Sequence, residues 1–61
     1  MVRIEIQDQF GQWRRYTLVN NTPISIAQAL KTALKAQLAS KSKKARAVDD
    51  KTGVFIDMLQ G

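Results

Sequence analysis

The sequence predicts an α+β domain ordered β-β-α-β-β, two β-hairpins joined by one amphipathic helix packed on one face of an antiparallel sheet. Three observations carry that expectation. Residues 2–7 alternate strictly between apolar and polar, the pattern of a half-buried strand. Residues 22–40 (TPISIAQALKTALKAQLAS) repeat apolar side chains every three or four positions, which lines one side of a helix. Asp8-Gln9-Phe10-Gly11 and Asp49-Asp50-Lys51-Thr52-Gly53 each set an aspartate ahead of a glycine between extended stretches, as reverse turns require.

Taken in order, residues 2–7 place Val2, Ile4 and Ile6 on one face and Arg3, Glu5 and Gln7 on the other. Residues 12–19 (QWRRYTLV) are rich in aromatic and β-branched types and make the hairpin partner. Strict alternation there groups Tyr16 with Leu18, and Trp13 with Arg15, Thr17 and Val19. Asn20-Asn21-Thr22-Pro23 then ends the strand and opens the helix. Two start signals compete: Thr22 as cap with Pro23 at the first helical position, or a Ser25–Gln28 capping box with Ile24 as staple. Ile26, Leu30, Ala33, Leu34 and Leu38 form the apolar stripe, with Ala27 beside it and Gln37 inside it. Gln28, Lys31 and Lys35 lie opposite. The helix is expected to end near Ser40, where Lys41, Lys43 and Lys44 suit the negative end of its dipole.

Residues 41–46 (KSKKAR) read as a basic loop, 47–49 as a short strand, and 54–59 as its return, with Gly53 at a positive φ in the turn. Alternation in the last strand groups Val54, Ile56 and Met58 toward the helix and Phe55, Asp57 and Leu59 away from it. The order of the four strands does not follow from the sequence.

The chain of 61 residues is one domain, residues 1–61, near the lower size limit for folding without disulfides or metal. It contains neither Cys nor His. That removes the commonest general base, the thiol nucleophile and the usual zinc ligands. Asp49 and Asp50 are the best candidate magnesium ligands, but adjacent acids before Lys-Thr-Gly are more simply a solvated turn. The glycines are scattered and make no phosphate loop. No enzymatic activity, metal or cofactor is expected. The lack of Cys, of a signal-peptide core and of a membrane-length apolar run suits a cytoplasmic protein that uses no membrane.

Charge gives the strongest functional signal. The net charge is +5, and no acid occurs between Asp8 and Asp49, where eight Lys or Arg fall. Such an excess suits a polyanion, because each neutralised phosphate releases counterions that neighbouring acids would oppose. The candidate phosphate contacts are Lys41, Lys43, Lys44 and Arg46, with Arg14 and Arg15 behind them. The plain alternative is a helix face and a loop kept soluble by charge.

The sheet face turned away from the helix is the second candidate site. Trp13, Arg15 and Phe55 lie there, a mixture that suits stacked bases or a protein interface equally. Two functional readings therefore stand: a small nucleic-acid-binding accessory protein for DNA or RNA, or a protein-interaction module. The second would take an acidic protein partner or a second copy of the chain. One further possibility is an anion site at the helix start near Asn20, Asn21 and Thr22, against the simpler reading of a capped helix.

Overall fold

A computed structural model describes residues 1–8, 10–36 and 44–60 of the chain. Four strands and one helix follow in the expected order: β1 (Val2–Gln7), β2 (Trp13–Val19), α1 (Pro23–Ala36), β3 (Lys44–Asp49) and β4 (Phe55–Gln60). The strands form one antiparallel sheet in the order β2-β1-β3-β4, with α1 packed against it. The first strand of each hairpin thus lies inside, and the two inner strands pair with each other across the helix crossover. No described helix is long and apolar enough to cross a membrane.

The core is the layer between α1 and the two central strands. Val2 and Ile4 of β1, Ala45 and Ala47 of β3, and Ile26, Leu30 and Ala33 of α1 are buried together. Alanine at 33, 45 and 47 puts little bulk between helix and sheet, so close packing depends on Val2, Ile4, Ile26 and Leu30 filling what remains. Leu34, Ala29, Ile6, Val19 and Leu59 pack around this cluster. Ala27, beside the expected stripe, is exposed with Gln28, Lys31 and Lys35. Leu38, Gln37 and the expected helix end at Ser40 lie outside the described residues.

The helix begins on the first of the two competing signals. Thr22 Oγ1 accepts the Ser25 N–H at 3.2 Å, and the Thr22 carbonyl accepts the first helical bond from Ile26 at 3.0 Å. Thr22 is therefore the cap, Pro23 opens the helix, and Ile24 points outward rather than stapling the entry.

Both hairpin turns work through an aspartate and a glycine. The Asp8 carboxylate accepts the Phe10 and Gln12 N–H groups, both at 2.9 Å. Asp49 does the same for Lys51 and Thr52 at 2.8 and 2.9 Å. Gly11 and Gly53 close the two turns at φ of 82° and 76°, a region open to glycine at little cost. Both aspartates are held below their ordinary pKa. Arg14 is the main cause at Asp8, followed by the Gln12 N–H; the Thr52 and Lys51 N–H groups lead at Asp49.

Two β-bulges correct the alternation read from the sequence. In β2 the register runs from Ile4↔Thr17 to Glu5↔Arg15, leaving Tyr16 as the extra residue. In β4 it runs from Ala47↔Asp57 to Val48↔Phe55, leaving Ile56 extra. Each inserted residue reverses the phase of period two. Thr17, Leu59 and Asp57 consequently fall on the helix side, whereas Leu18 and Met58 fall on the open side opposite Arg3 and Arg46. Val54 precedes β4 and is exposed.

Two outcomes test this local reading. Thr22→Ala should lower stability by about 1 kcal/mol in urea denaturation, with Ser25→Ala nearly silent because Ser25 supplies its N–H and not its hydroxyl; equal losses would indicate the capping box instead. The lowered Asp8 and Asp49 pKa values favour the folded chain fully above the unfolded-state pKa, and that contribution is lost as pH falls through the folded value. Denaturation midpoints should thus hold steady down to about pH 4 and decline below it, and Asp8→Asn with Asp49→Asn should reduce the decline.

Candidate functional site

The face of the sheet opposite α1 carries the polar machinery. From one edge to the other, the rungs read Leu18–Arg3–Val48–Phe55, then Arg15–Glu5–Arg46–Met58. Gln7 and Trp13 oppose each other next along the strands, and Lys44 opposes Gln60. Trp13, Arg15 and Phe55 all lie on this open side, as their place in the ladder dictates.

Glu5 sits at its centre and is 8% exposed despite having no helix above it. Arg46 Nε donates to Glu5 Oε1 at 2.7 Å. Arg3 approaches the other carboxylate oxygen at 3.3 Å, although its buried Nε–H is misaligned and makes no hydrogen bond. Arg3 also stands 3.8 Å from Asp50. The Arg46 guanidinium lies over the Trp13 ring, 4.3 Å from its centroid, a cation–π geometry. β1 lies between Trp13 and Arg46, so the stack bridges three strands over the carboxylate. A buried carboxylate needs paired and hydrogen-bonded partners to stay charged at acceptable cost, and these side chains supply them.

The network redistributes the cations expected from the sequence. Lys44 and Arg46 belong to strand β3 and not to a loop, because their side chains alternate with the buried Ala45 and Ala47. Arg46 is committed to Glu5 and Trp13. Arg14 lies opposite Ile6 on the helix side and is committed to Asp8 at 2.9 Å. Arg15 and Lys44 make no ion pair or hydrogen bond among the described residues. Lys41 and Lys43 lie outside the described residues.

These cations share one end of the sheet. Arg14 and Arg15 lie near the start of β2, and Lys44 starts β3; antiparallel order brings the two strand starts to the same end. The helix returns toward that end from the end of β2 and carries Lys35 in its last turn. Two described acids lie among these cations: Asp8, engaged by Arg14 and the turn, and Glu5, on the rung of Arg15 and engaged by Arg3 and Arg46. At the far end, Asp49 and Asp50 mix with Arg3 and Lys51. Asp49 spends one carboxylate oxygen on backbone N–H groups, and no cluster of three potential metal ligands occurs among the described residues.

At the helix start, the Thr22 hydroxyl already serves the first turn. A groove of about 790 Å³ between β2 and α1 is lined by residues such as Tyr16, Leu18, Gln28 and Thr32, without an acid, lysine or arginine. It offers no general acid–base pair.

The sequence places Arg3 and Glu5 on this open face but does not show the ion-pair network they form there. The signal was a single acid in the middle of an otherwise apolar-patterned strand, and its meaning depends on β3 lying beside β1. Compared with protein-family models, curated proteins and solved structures, the chain matches none.

Removing the carboxylate tests the network. Glu5→Ala should cost roughly 1–3 kcal/mol by stranding Arg3 and Arg46, and Glu5→Gln should cost less. In both variants Trp13 fluorescence should shift to the red as Arg46 leaves the ring; unchanged emission would contradict the described stacking.

Proposed function

We propose that this chain is a small, non-catalytic nucleic-acid-binding protein that engages a single strand on the open sheet face. One observation supports this above the rest: Arg15 and Lys44, cations whose side chains have no partner among the described residues, flank the Trp13–Arg46 stack at the end of the sheet where the basic side chains collect. Single-strand binding combines a cationic track for the backbone with an aromatic surface for bases. Trp13 is half-exposed and is held in orientation by Arg46. Arg15 and Lys44 supply the phosphate contacts on either side. Lys41 and Lys43 precede Lys44 in the sequence and add to its positive charge, while Arg14 and Arg46 act as supports because their guanidinium groups are engaged. The lack of Cys suits the reducing cytoplasm.

The experiment is a titration with short oligothymidine and oligouridine, read by the fluorescence of the single tryptophan. Quenching is expected, with binding that weakens steeply as salt rises. Arg15→Glu and Lys44→Glu should each weaken binding to all sequences alike and lower the salt slope by about one. No quenching and no retention at low salt would refute the proposal.

A further inference from the structure

At the basic end of the sheet, the four strand ends carry one line of open-face side chains. Trp13 starts β2 opposite Gln7, which ends β1, and Lys44 starts β3 opposite Gln60, which ends β4. Gln7 lies two residues beyond Glu5, Lys44 two before Arg46, and Gln60 two beyond Met58, so all of them share the open face. Gln60 is exposed, and its amide makes no hydrogen bond among the described residues.

We propose that the bound single strand crosses the sheet along this line, from β2 to β4, and that the Gln60 amide hydrogen-bonds a base there. This path rests on nucleic-acid binding at the open face, as proposed above, and adds a direction, a footprint and a base-contacting residue. Charge sets the direction. Arg15 and Lys44 stand two strands apart but one rung apart, about 10 Å across the sheet against about 7 Å along it. A backbone touching both therefore runs more across the strands than along them. Glu5 lies beneath that path, but Arg3 and Arg46 engage it, so it opposes a phosphate only weakly. A lengthwise path toward Leu18 and Phe55 leads to the end where Asp49 and Asp50 offset Arg3 and Lys51, and a phosphate finds no net attraction there.

Width sets the footprint. β2 and β4 lie three strand spacings, about 14 Å, apart, and a four-stranded sheet displays about two or three bases across its face. The first base stacks on Trp13, half-exposed beside Arg46. The last reaches Gln60, whose amide offers a donor and an acceptor side by side. Each of the four bases presents a matching donor and acceptor on its unpaired edge. Gln60 therefore adds affinity without demanding one base.

Oligothymidines of increasing length, titrated against the Trp13 fluorescence of the full chain, test the path. Affinity should climb up to the trinucleotide and then level off, apart from the statistical gain of extra registers. Gln60→Ala should weaken the trinucleotide roughly two- to tenfold, leave the dinucleotide unchanged and keep the far-ultraviolet circular dichroism. Phe55→Ala, toward the opposite end of the same face, should leave both oligonucleotides unchanged. A silent Gln60→Ala, or a loss with Phe55→Ala in its place, would overturn the crossing path while leaving nucleic-acid binding intact. Oligoglutamate of matched charge, which has no bases, should not quench Trp13; equal quenching by it would overturn the base contacts. If no oligonucleotide quenches at low salt, the nucleic-acid reading falls and this path falls with it.

Discussion

A buried carboxylate at the centre of an uncovered sheet governs much of this structure. Glu5 lies on an inner strand, so both neighbouring strands must answer it. β3 answers with Arg46, and β1 itself adds Arg3 two residues away on the same face. Trp13 reaches the other side of Arg46 from β2. The network ties β2, β1 and β3 together on the side where no helix does so, and it converts a nominally open face into a partly closed one. It also fixes which cations remain available. Arg46 is neutralised and half-buried, whereas Arg15 on the same rung extends to solvent.

Much of the fold was legible in local chemistry. The Thr22-Pro23 pair, the stripe of Ile26, Leu30 and Ala33, and the two Asp-to-Gly turns each report short-range physics, and each forms as that physics requires. The faces of β2 and β4 were not legible beyond Tyr16 and Ile56. A bulge depends on how a strand fits its neighbour, and nothing in QWRRYTLV or VFIDML marks which residue is extra. Strand order was hidden for a related reason. Pairing β1 with β3 is a contact between distant segments, and alternation alone does not choose between possible neighbours.

The candidate site was legible as composition but not as arrangement. The acid-free run from 9 to 48 pointed to the cations; it could not tell engaged from unengaged ones. Arg14 and Arg46 look equivalent to Arg15 and Lys44 in sequence, and only the positions of Asp8 and Glu5 across the ladder separate them. The same topology concentrates positive charge at one end and leaves the β4 edge without any.

The most direct measurement is the set of arginine Nε–H resonances and the Trp13 indole N–H, recorded with and without a short single-stranded oligonucleotide. The account predicts that the Arg46 Nε–H is slow to exchange in the unbound protein and keeps its bond to Glu5 on binding, while Arg15 and Trp13 shift. An Arg46 Nε–H that exchanges as fast as that of Arg15, or that shifts on binding while Arg15 stays still, would contradict it.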